Sequence, residues 1–124
     1  MASSITSDDL KRRTKSFAIL IIRLCQSFPR SQASTVITRQ LLRSATSVGA
    51  NYRAVCRARS SADFVSKLGI VLEEADETLF WLELLVDSGV ARPDKTAPLL
   101  KEANELVSIF VASLRTAKGL NSAI

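Results

Sequence analysis

In this 124-residue chain, enzyme chemistry would have to rest on two pairs of carboxylates. Glu74 and Glu77 form one ExxE pair, and Glu102 and Glu105 form another. Two such pairs on facing helices could hold Mg²⁺, a hard cation that accepts carboxylate oxygens and keeps several waters. There is no histidine, no GxSxG, no P-loop and no GxGxxG. Triad hydrolysis, phosphate cradling by a Gly-rich loop and dinucleotide binding therefore lack their parts. Helical phase weakens the metal reading: Glu74 lies at the edge of its segment's apolar stripe, Glu73 and Glu77 point largely away, and Glu102 and Glu105 flank theirs. An acidic face in water, or one paired with arginines of another helix or subunit, is the simpler expectation. No catalytic residue, metal ligand or cofactor is assigned.

The second constellation is cationic. On a helix advancing about 100° per residue, Arg39, Arg43, Arg53 and Arg57 fall within about 80° of one another. The short residues Thr46 and Ala50 leave the middle of this stripe open, while Ile37, Leu41, Ala45, Val48, Tyr52 and Val55 gather on the opposite face. These four arginines and Arg59 are the candidate phosphate contacts, with the KRRTK cluster of Lys11 to Lys15 as a further source of charge. Between Leu10 and Ala62 there are 11 basic residues and no Asp or Glu, so the first half carries +9 and the chain from Asp63 onward −4. Such segregation suits an anionic partner, self-complementary assembly, or simply basic helices beside acidic ones in one bundle. Helix-turn-helix, zinc-finger and aromatic-interleaved sheet signatures are all missing. Binding is accordingly expected to follow charge and shape over base identity.

These residues must be carried by helices. Apolar residues make up 47% of the chain against 4 glycines, 3 prolines and 6% aromatics, a balance that favours packed helices over a turn-rich β fold. Apolar residues at helical spacing and caps predict an all-α, antiparallel up-down-up-down four-helix bundle as a single domain over residues 1–124, with helices near 8–28, 35–58, 61–88 and 97–118. Thr6 or Ser7, Ser34 or Thr35, and Ser60 or Ser61 are the expected caps, Pro93 and Pro98 mark the last connection, and the tail Leu120 to Ile124 is expected to fray or dock on a neighbour. Gly49, among Ser44, Ala45, Ser47, Val48 and Ala50, reads as a close helix crossing. Ile70, Phe80 and Trp81 fall off the core stripe of the third helix and are assigned to a subunit interface. Cys25 and Cys56, without CxxC spacing, read as small buried hydrophobes. The longest apolar run, Phe17 to Ile22, is too short to cross a bilayer, and a cytoplasmic location is expected.

The segment Gln40 to Asn51, QLLRSATSVGAN, followed by a basic turn and by Asp63 and Phe64, resembles the bacterial four-helix bundle proteins known as 23S rRNA intervening-sequence proteins. The likeness runs through Leu68, the acidic stretch Glu73 to Glu77 and the leucine-rich stretch ending at Gly89, and covers about residues 10–118. The same family includes the accessory variability determinant of diversity-generating retroelements. The resemblance therefore implies a homopentamer without catalysis, associated with RNA or DNA and with a reverse transcriptase as a possible partner. Many members carry Ala-Glu-Gly where this chain has Tyr52, Arg53 and Ala54, which makes this segment more basic. The ExxE pairs resemble the paired acidic motifs of the all-α nucleotide pyrophosphohydrolases, and that likeness implies a Mg²⁺-dependent hydrolase as one alternative. A purely structural homo-oligomeric scaffold, whose arginines satisfy acidic residues of neighbouring subunits, is the other.

Overall fold

The computed structural model describes residues 5–119, and the tail from Leu120 lies outside them. Four helices follow one another: α1 (Ser7–Gln26), α2 (Gln32–Val55), α3 (Ser61–Asp87) and α4 (Pro93–Ala117). Short connections force each helix to return antiparallel to the one before, and α4 packs back on α1 to close the four-helix bundle. The α2–α3 seam is the most extensive and the α1–α4 seam the least. The all-α bundle expected from the periodicity is therefore the observed fold.

Local chemistry sets the helix starts. Thr6 caps α1, its hydroxyl accepting the Asp9 amide while the Asp9 carboxylate accepts the Thr6 amide, both at 3.0 Å. Ser31, not Ser34 or Thr35, caps α2: the Ser31 hydroxyl accepts from the Ser34 amide and Ser34 returns the bond. Ser60 caps α3. The last helix begins earlier than its prolines suggested, because Pro93 stands at its first position, where no amide is needed. Pro98 sits one turn further in, where its missing N–H leaves only the Asp94 carbonyl without its helical donor. At the other end α2 stops at Val55, so Arg57 lies in the turn after the helix and not on it.

Phe17, Ile21, Leu41, Val48, Leu68, Leu82, Leu106 and Phe110 fill the axis with essentially no exposed surface. The rings of Tyr52 and Phe110 meet with centroids 5.8 Å apart, joining α2 to α4. Buried hydroxyls are all partnered among the described residues. The Thr78 hydroxyl reaches the Glu74 carbonyl at 2.7 Å and the Ser44 hydroxyl at 2.9 Å, a polar tie across the α2–α3 seam.

Gly49 marks where α1 and α2 approach closely. A Cβ there would lie 3.4 Å from the Thr14 hydroxyl oxygen and 3.6 Å from the Thr14 carbonyl carbon. Thr14 is fully buried and its hydroxyl is held by the Leu10 carbonyl at 2.7 Å, so it has little room to yield. Gly49→Leu is expected to destabilise the fold by about 1–3 kcal/mol through overpacking. Gly49→Ala, which adds only the Cβ, should stay much closer to the parent. Urea midpoints check this: a leucine variant as stable as the parent would show that the crossing is not tight.

Candidate nucleic-acid interface

The structure sorts the predicted arginines into distinct environments. Arg43 leans toward α3, where its guanidinium donates to the Glu77 carboxylate and, at 3.4 Å, to Glu74. Arg39 is exposed near the other end of α2, about 20 Å along the axis from Arg53. Arg53 and Arg57 face the α1 side, exposed, and among the described residues neither has a carboxylate within ion-pair distance. Arg59 occupies the α2–α3 turn, its amide donating to the Asp63 carboxylate at 3.0 Å. The Lys67 ammonium, 2.9 Å away, and that amide hold the Asp63 carboxyl below the usual range.

Arg53 and Arg57 are joined by residues of α1. An open groove of about 640 Å³ runs along the α1–α2 seam. Lys11, Arg12 and Lys15 form one wall, and Arg53 and Arg57 the other. Its floor is small: Thr14 and Ala18 from α1, Thr46, Gly49 and Ala50 from α2. No carboxylate and no aromatic ring lines it. Lys11 lies 4.0 Å from Asp8, and Arg12 donates to Asp9 at 2.5 Å, but both pairs are solvent-exposed and join neighbours on one helix. Such pairs contribute little and give way to a competing anion.

Arg13 is excluded from this face by phase. Two positions from both Lys11 and Lys15, it turns toward α4 and grips Glu102 through two nitrogens, at 3.0 and 2.6 Å, and Glu105 at 3.1 Å. Those hydrogen bonds, led by Glu102, raise the Arg13 pKa further. The two ExxE pairs therefore do not face each other: Glu74 and Glu77 look toward α2 and Arg43, while Glu102 and Glu105 look toward α1 and Arg13. Neither pair has the shared, empty geometry that a bridging cation needs, and no cluster of metal-ligating side chains occurs among the described residues.

The apolar candidates on α3 also separate. Ile70 (48% exposed) and Phe80 (53%) stand in solvent. Trp81 is half-buried against the core, meets the Phe80 ring edge-on at 4.9 Å, and donates its indole N–H to Glu77 at 3.1 Å. Ile19, Leu20 and Ile22 on α1 are exposed as well. No helix among the described residues is long and apolar enough to cross a membrane.

Sequence reading named the KRRTK cluster but did not join it to the arginines of α2. The signal was available in part, since Lys11 and Lys15 share one face four residues apart, while Arg13 is rotated away. What sequence alone lacked was the register of α1 against α2.

The model of the 23S rRNA-intervening sequence protein family matches residues 8–112. The chain belongs to that family. Among solved structures it is similar to a protein of unknown function from the S23 ribosomal protein family of Bacteroides thetaiotaomicron, at 34% identity. That likeness covers 85% of this chain and 97% of the other, with a TM-score of 0.78. No protein of curated function matches the chain.

One correction concerns the thiols. Cys25 is half-buried, and burial pushes its pKa up to about 11. Cys56 is not a buried hydrophobe: as the cap residue after α2 it is exposed in the basic groove. At pH 8 a thiol-specific reagent should label Cys56 rapidly and Cys25, half-buried and with its thiolate disfavoured, much more slowly. Peptide mapping of the modified sites reads the order, and equal labelling of both in the folded protein would contradict the placement.

Proposed function

We propose that the protein is a non-enzymatic, oligomeric four-helix bundle that binds the phosphate backbone of nucleic acid through the basic face of α1 and α2. One observation carries the reading: five cations line a groove free of carboxylates, and while Lys11 and Arg12 meet Asp8 and Asp9 in exposed pairs, Lys15, Arg53 and Arg57 have no carboxylate within ion-pair distance among the described residues. Family membership supports it to the extent that the family's description concerns rRNA intervening sequences. Lys11, Arg12 and Lys15 join Arg53, Arg57 and Arg59 as the proposed phosphate contacts, Arg39 is a peripheral one, and Arg43 serves the α2–α3 seam. A reverse transcriptase acting on the same nucleic acid is the protein partner that fits the resemblance, and a homopentamer the fitting assembly. In that assembly Ile70 and Phe80, with the edge of Trp81, lose their exposure to a neighbouring subunit. A ring would place several grooves on one particle and raise avidity without any single strong site.

The scaffold reading draws on a specific observation too, since Arg43 and Arg13 show that this chain's arginines can be absorbed by its own glutamates. Charge reversal separates the two. In filter binding of single-stranded RNA across a salt series, the parent protein should lose affinity with a log–log slope of about −4. Arg53→Glu with Arg57→Glu should weaken binding by at least about tenfold without changing assembly. Binding that ignores salt sinks the electrostatic mechanism, and loss of assembly instead of binding favours the scaffold.

Light scattering tests the oligomer separately. The parent should scatter as a multiple of 13.5 kDa, and Phe80→Glu should shift the particle toward a single subunit. A parent protein that stays monomeric at micromolar concentration would leave the exposed α3 residues without this role.

A further inference from the structure

We propose that the α1–α2 groove seats one unpaired nucleic-acid strand and discriminates against a duplex; this deepens, and rests on, the reading above. The first ground is the arrangement of charge. Lys11 and Lys15 are one helical turn apart on one wall, and Arg53, in the last turn of α2, and Arg57, in the turn that follows it, form the other. The first half of α1 and the end of α2 with its following turn thus present two facing pairs of cations, and the groove extends about 10 Å, from the level of Lys11 to that of Ala18. That length and concavity fit a few linkages of one sugar–phosphate backbone. The second ground is the floor, where Thr46 and Ala50 expose only short side chains and leave room for a backbone between the cations.

The third ground separates single strand from duplex. Each α1 row passes, one turn on, from the groove into an exposed aliphatic residue: Lys15 is followed by Ile19 and Ala18 by Ile22, 40% and 38% exposed. A single strand can lay unstacked bases or its ribose on these side chains and bury their apolar surface. A duplex keeps its bases paired and stacked, and offers that surface only phosphate. Because no aromatic ring lines the groove, there is no stacking platform, and the site reads strandedness without reading sequence.

Fluorescence anisotropy on the full chain tests this with labelled oligouridylate, a second single strand of mixed sequence, and an RNA duplex of equal length. The parent should bind both single strands alike and the duplex about tenfold more weakly. Thr46→Leu with Ala50→Leu fills the floor at two exposed positions and leaves every charge in place. It should weaken single-strand binding by about tenfold while leaving duplex binding unchanged. Circular dichroism confirms the fold, and Ala50→Leu alone carries the test should the double variant fail to fold. If the filled variant binds like the parent while Arg53→Glu with Arg57→Glu does not bind, the cations act from an open face. The groove inference then falls and the nucleic-acid reading stands. A duplex bound as tightly as a single strand also overturns the inference. A parent protein that binds none of the three probes overturns both.

Discussion

Between Leu10 and Ala62 the chain contains no carboxylate, so every cation on α1 and α2 must find its counter-charge on another helix or remain in water. Most surface helices neutralise themselves through pairs three or four residues apart, and these two cannot do so along most of their length. The exceptions lie at the extreme start of α1, where Asp8 and Asp9 engage Lys11 and Arg12. Everything else about the charge distribution follows from which side chains can reach across a seam. Arg13 reaches α4 and Arg43 reaches α3. Lys15, Arg53 and Arg57 face the α1–α2 seam, where both walls are basic and no partner exists among the described residues.

The same constraint accounts for the acidic helices. Glu74, Glu77, Glu102 and Glu105 look like metal ligands when their helices are drawn separately, because ExxE spacing places each pair on one face. In the bundle each pair is the receiving end of an arginine from the neighbouring basic helix. The Arg13 grip matters the more because the α1–α4 seam is the least packed of the four, and two parallel N–H to carboxylate bonds fix direction as well as distance. On the opposite seam, Glu77 is shared by Arg43 and the Trp81 indole, so it orients an aromatic side chain as well as a guanidinium. The acidic half of the chain is thus partly a lock for the bundle.

Apolar surface shows a parallel division. Buried Leu, Ile, Val and Phe close one continuous core, yet Ile19, Ile22, Ile70 and Phe80 stay exposed on helices of opposite charge character. The α1 pair lies one turn beyond Lys15 and Ala18 of the basic groove, whereas Ile70 and Phe80 share α3 with a carboxylate-rich stretch. Two exposed patches thus sit in opposite fields, and in the proposed function an anionic chain meets the first and a second subunit the other.

The bundle was legible in the sequence because each helix writes its own phase: apolar residues at helical spacing, caps at Thr6 and Ser60, glycine after α3. The arginine face of α2 was legible for the same reason, as was the crossing at Gly49. Helix ends were read less well. Pro93 starts a helix where proline more often separates helices, and α2 stops at Val55 with Cys56 exposed at its end. Register and azimuth between helices belonged to the tertiary structure alone, since they arise from side-chain interdigitation across seams and leave no periodic trace in one strand of sequence. That packing decided that Arg13 and Arg43 would be neutralised. It also brought Lys11, Arg12 and Lys15 opposite Arg53 and Arg57, making one basic groove from residues some 40 positions apart.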